Sequence, residues 1–69
     1  NSAKKGDLIY VPSSVYLYNK DEFGSTKEYI MLDEPVTLLV VEVDEKTYEV
    51  LHNEQNWFVE KREVYGVTS

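Results

Sequence analysis

His52 is the one histidine of the chain and the first place to look for acid–base chemistry near neutral pH. Nucleophilic catalysis would need a serine presented to it and an acid to orient its ring. Ser13, Ser14, Ser25 and Asp33 supply the residue types, but no turn motif presents any of these serines as a nucleophile. His52 ends a strand-like run beside Asn53 and reads as a structural residue. The carboxylates are numerous, with adjacent pairs at Asp33-Glu34 and Asp44-Glu45. A Ca²⁺ site or a glycosidase pair needs carboxylates spaced along a loop or converging on a cleft. Asp44-Glu45-Lys46 is too short to wrap an ion, and Asp21-Glu22 lacks further ligands at the required spacing. These acids read as solvated turn residues. No catalytic residue, no metal site and no cofactor is expected.

The aromatic residues are the distinctive feature: six Tyr, two Phe and one Trp. Tyrosine combines a large contact area with a polar tip, and it is enriched at binding surfaces. Strand parity sets Tyr10 on the face opposite Ile9 and Val11, and Tyr16 and Tyr18 share one side of a polar excursion. The same residues could instead cover a thin core with their hydroxyls in water. Tyrosines beside acids would also suit an aromatic cage for a methylated lysine, although nothing in their spacing selects that. Trp57 is read mainly as core.

Charge narrows the partners. The chain carries thirteen acids and seven bases, a net charge of −6. Between Glu28 and Glu54 there are eight acids against Lys46 alone. Such a surface repels phosphates, so no nucleic-acid partner is expected. It suits a protein with a basic or mixed surface, or serves nothing beyond solubility. No apolar stretch approaches ~18 residues, so no membrane span is expected. There is no cysteine, which excludes disulfides and Cys-ligated metals. No secretory leader is legible, and a cytoplasmic location is expected.

Sixty-nine residues make one domain. A chain this short buries only ~60% of its unfolded surface. Its organising element is Val36-Thr37-Leu38-Leu39-Val40-Val41-Glu42-Val43, in which six of eight residues are Val or Leu. Bounded by Pro35 and by Asp44-Glu45-Lys46, it predicts a buried central strand. Leu8-Ile9-Tyr10-Val11 predicts a first strand that Pro12 ends. Val15–Tyr18 and Tyr29–Leu32 predict the arms of a long hairpin-like loop whose polar tip around Gly24 is the most mobile part. Thr47–His52 and Asn56–Glu60 predict two more strands, joined by a tight turn at Asn53–Gln55. Lys61-Arg62-Glu63 is too short for an α-helix and predicts one 3₁₀ turn before a short last strand over Val64–Val67. Residues 1–5 and 68–69 are expected to fray. The predicted core is Ile9, Val11, Leu39, Val41, Val50, Trp57 and Val59.

This layout resembles the SH3-like barrel over nearly the whole chain. Gly6-Asp7-Leu8-Ile9-Tyr10-Val11 is similar to the opening of small SH3-like modules, and Glu54-Gln55-Asn56-Trp57-Phe58-Val59 with Glu63-Val64-Tyr65 is similar to their close. The resemblance implies an all-β, five-stranded SH3-like barrel, with Ser13 to Glu34 as an RT-type loop and Asn53 to Gln55 as the distal turn. The Ala-Leu-Tyr-Asp-Tyr signature of signalling SH3 domains, their paired Trp and their Pro-Asn-Tyr are absent. The wording is also loosely similar to small proteins of tailed phages, which would put the chain in the host cytoplasm.

The expected function is non-enzymatic: a protein–protein interaction module. Its surface is Tyr10, Tyr16, Tyr18 and Tyr65, flanked by Asp21, Glu22 and Asp33. One alternative is a structural or assembly component of a larger complex, for instance a phage particle. Another is an acidic inhibitor that occupies a nucleic-acid site on a host enzyme.

Overall fold

The computed structural model describes residues 3–67. The chain is all-β, as its alternation and β-branched content require. Among the described residues seven strands form one antiparallel sheet: β1 (Leu8–Val11), β2 (Tyr16–Lys20), β3 (Thr26–Met31), β4 (Val36–Val43), β5 (Thr47–His52), β6 (Gln55–Glu60) and β7 (Tyr65–Gly66). Their order across the sheet is β3-β2-β6-β5-β4-β1-β7. A 3₁₀ turn occupies Lys61–Glu63, where the sequence places it.

The expected count of five strands is too low. Both arms of the long loop zip into a hairpin, β2 against β3, with Tyr16 opposite Met31 and Tyr18 opposite Tyr29 and a register shift between Asn19 and Lys20. Alternation along both arms favours this, because each arm has one apolar face to bury. The hairpin then joins the sheet through Tyr18 opposite Phe58 on β6. The sheet is open, since its edge strands β3 and β7 are not paired with each other.

One core cluster draws on nearly every strand: Ile9, Val11, Val15, Leu17, Leu38, Val40, Tyr48, Val50, Trp57, Val59 and Val64, with Ala3 at its margin. Ile9 comes from β1 and Leu17 from β2, near opposite edges of the sheet, so the sheet curves around a single interior. Ile30, Leu32 and Val36 pack against this cluster half-buried.

Of the predicted core, Ile9, Val11, Val50, Trp57 and Val59 are buried. Leu39 and Val41 are not; Leu38 and Val40 take their places. The cause is a one-residue error in parity, corrected by the pairing of β4. Leu39 faces Leu51 and Val40 faces Val50, but then Glu42 faces Glu49. Val41 is the extra residue of a β-bulge, which re-aims the side chains beyond it. Tyr48, opposite Val43, is also inside, 5% exposed.

Tight turns connect the strands. His52 and Gln55 pair across Asn53-Glu54, whose φ values of 51° and 66° are those of a type I′ hairpin turn. The tip of the β2–β3 hairpin is held by Asp21. Its Oδ1 accepts from the Phe23 amide at 2.9 Å and the Ser25 amide at 3.0 Å. Gly24, at φ +85°, supplies the left-handed residue that this turn requires.

The lead-in is tied down from Ala3 onward. The Ala3 amide donates to the Tyr48 hydroxyl at 2.9 Å, and the Gly6 amide donates to the Val40 carbonyl at 2.8 Å. The fraying expected at residues 1–2 and 68–69 lies outside the described residues.

Candidate functional site

Five of the six tyrosines, all but the buried Tyr48, occupy the outer face of the sheet because their neighbours in sequence occupy the inner one. Leu17 is fully buried, so Tyr16 and Tyr18 on either side of it point outward. Ile9 and Val11 do the same for Tyr10.

The rings form two groups. In the first, Tyr29 on β3 bridges the two tyrosines of β2. Its ring centroid is 5.9 Å from Tyr16, edge to face at 78°, and 6.0 Å from Tyr18. Tyr18 then stacks on Phe58 of β6 at 5.8 Å and 30°. Lys20 closes this band, with Nζ 4.4 Å from the Phe58 centroid. Such a distance is a cation–π contact. Tyr16 and Tyr29 remain 53% and 62% exposed, and they line a shallow cleft of about 270 Å³. The second group is Tyr10 with Tyr65, 6.4 Å apart across the β1–β7 pair. The four tyrosines read from the sequence as one patch are thus split between the two ends of the sheet.

One carboxylate accompanies the first group. The Tyr18 hydroxyl donates to Glu60 Oε2 at 3.3 Å. Burial first, and then the Glu60 carboxylate, push the Tyr18 hydroxyl above its usual value, because both disfavour a phenolate there. Glu28 lies on the opposite face of the hairpin, where Asn19 donates from Nδ2 to Glu28 Oε1 at 3.1 Å and accepts the Glu28 amide at 3.1 Å. Asp21, Glu22 and Asp33 are exposed: the first two at the hairpin tip, the third in the bend before β4. Asp21 in addition holds the tip together through the two amides it accepts.

A second hollow, about 350 Å³, is lined by Glu45, Lys46, Glu60, Lys61 and Arg62, where the β4–β5 turn meets the 3₁₀ turn. Its charges are mixed, and no aromatic ring lines it. His52 is half-buried at the end of β5, opposite Gln55. Among the described residues no cluster of three or more His, Asp or Glu side chains is placed to hold a metal. No helix among them is long and apolar enough to cross a membrane.

Sequence reasoning missed Tyr29 and Phe58. Tyr29 had a legible signal: a hairpin centred on the Asp21–Ser25 tip sets it opposite Tyr18. Phe58 had a weaker one, the parity of its buried neighbours Trp57 and Val59. The Tyr18–Phe58 pairing joins strands forty residues apart, and local pattern carries no sign of it.

The chain matches no family model, no curated protein and no solved structure.

Proposed function

We propose that this chain is a non-enzymatic protein-interaction module, and that the Tyr16–Tyr29–Tyr18–Phe58 band is where a protein partner docks. The observation that carries the reading is the band itself. Four rings in successive contact lie on the outer face, two of them more than half exposed, with Glu60 beside them. Exposed rings with a carboxylate at their margin favour a cationic side chain of the partner. Lys20 over Phe58 is an internal instance of that contact. Exposed acids, Asp21, Glu22 and Asp33 among them, speed the approach of a basic or mixed surface more than they hold it. Tyr10 and Tyr65 form a smaller second contact. The partner is a protein, not a nucleic acid, and the place of action is the cytoplasm.

The architecture is an SH3-like barrel in this proposal. The order β7-β1-β4-β5-β6 supports it, with β2 and β3 forming the long hairpin between the first strand and the central one. A second reading, an assembly component of a larger particle, is favoured by one observation. β3 is a six-residue edge strand with five exposed residues, bonded on one side only, which offers a free ladder to another chain.

The test is affinity capture from the native cell with wild-type bait and with a Tyr16→Ala/Tyr29→Ala double variant. A folded variant should lose its protein partners by tenfold or more, equivalent to ~1.4 kcal/mol. Unchanged capture by a folded variant removes the band from the site.

A further inference from the structure

The strand register sets four aliphatic side chains in one line on the outer face. Leu8 lies opposite Leu39, and Leu39 opposite Leu51. The Val67 amide donates to the Leu8 carbonyl at 3.3 Å, which brings Val67 alongside at the edge. Their exposures are 49% for Val67, 43% for Leu8, 38% for Leu39 and 40% for Leu51. A single exposed leucine needs no explanation, whereas a contiguous apolar line marks a surface that associates. With strands ~4.8 Å apart, the line is roughly 14 Å long.

Acids border this line. The outward pair beyond Leu39 and Leu51 is Glu42 opposite Glu49, and like charges so placed repel each other. Glu49 accepts from Asn56 Nδ2 at 2.7 Å, and Asn56 lies opposite Leu51, so this carboxylate is held beside the end of the line. Lys5 reaches Glu42 at 3.2 Å, but the two side chains are 70% and 59% exposed. A pair that exposed holds weakly and is readily exchanged for a partner's cation.

We infer that this line docks a basic amphipathic helix of a partner protein, its apolar stripe on the leucines and its Lys or Arg side chains on Glu42 and Glu49. Helix positions i, i+4, i+7 and i+11 span roughly 16 Å at ~1.5 Å per residue, which matches the line. Charge decides against a second copy as the occupant, because each chain carries −6. The line lies on β1, β4 and β5 and owes nothing to the tyrosine band on β2, β3 and β6.

The probe is a synthetic helix with Leu at those four positions and Lys on its flanks, compared with the same helix carrying Glu for Lys. Binding is read by ¹H–¹⁵N NMR titration of the full chain. The Lys helix should shift the amides of Leu8, Leu39 and Leu51, and the Glu helix should not. Leu39→Gln/Leu51→Gln should weaken the Lys helix tenfold or more with amide dispersion retained; Leu8→Gln makes the same test if the double variant does not fold. Glu42→Gln/Glu49→Gln should weaken it too, by a factor that shrinks with added salt. Unchanged affinity in the folded leucine variants, equal binding of the Glu helix, or shifts centred on Tyr16 and Tyr29 would each overturn the inference. So would leucine-dependent self-association of the chain alone, which would make a second copy the occupant.

Discussion

Replacing Val40 by Ala tests the register on which every assignment of face depends. Val40 is 1% exposed and lies opposite Val50, itself fully buried. Losing two buried carbons removes ~1.6 kcal/mol of transfer free energy at ~0.8 kcal/mol per carbon. The void adds about 1 kcal/mol where neighbours do not collapse into it, taking ~24 cal/mol per Å³ over roughly 40 Å³. The expected loss is therefore about 2–3 kcal/mol. A domain of this size has a total stability of roughly 3–10 kcal/mol, so the loss is a large share of the whole. Urea unfolding followed by Trp57 fluorescence and far-ultraviolet circular dichroism reads it directly. With m near ~1 kcal/mol per M, the midpoint should fall by about 2–3 M. Val41→Ala is the internal control. Val41 is half-buried in the bulge, so its truncation should move the midpoint by less than about half as much. The reasoning fails if Val41→Ala is the more damaging change, or if Val40→Ala unfolds within about 0.3 M of wild type at unchanged m. Either result would restore the opposite parity, in which Leu39 and Val41 point inward.

Glu54→Gly should raise stability by ~0.5–1 kcal/mol in the same urea assay, because a non-glycine residue at φ 66° is strained and Asn-Gly is the favoured type I′ pair. Loss of stability would show that the Glu54 side chain makes a compensating contact. Asp21→Ala should speed amide hydrogen exchange at Phe23 and Ser25, whose N–H groups the Asp21 carboxylate accepts, while exchange in β5 and β6 stays slow; equal protection in the variant would refute its role in the tip. Tyr18 holds its proton more tightly folded than unfolded, so the stability it contributes is complete below its ordinary value of 10.0 and is lost as pH rises through the raised one. Phenolate absorbance near ~295 nm should show one tyrosine titrating above the usual ~10, and Tyr18→Phe should abolish that late step; a late step that survives belongs to another residue.

Two kinds of information separate here. Strand identity was legible because it is local. Period-2 alternation and β-branched content marked β1, β4 and β5 at their observed bounds, and the length of Lys61–Glu63 marked the 3₁₀ turn. The parity of Ile9 and Val11, of Trp57 and Val59, and of Val50 followed from the same alternation. Charge was legible as well, since it is a sum over residues. What the sequence could not decide was which partner each strand meets. A run apolar on both faces, as β4 is, satisfies either parity, and only its pairing with β5 shows that Val41 is the odd residue of a bulge. Opposite the fully buried Ile9 and Val50, Leu38 and Val40 take the core places, and Leu39 turns outward to join Leu8 and Leu51. The aromatic band is also a product of pairing. Tyr18 meets Tyr29 through a hairpin and Phe58 through a strand forty positions away, so its composition is visible in the chain and its continuity only in the fold. Alternation is a property of one strand, whereas register is a property of two, and every surface proposed for this protein is made of register.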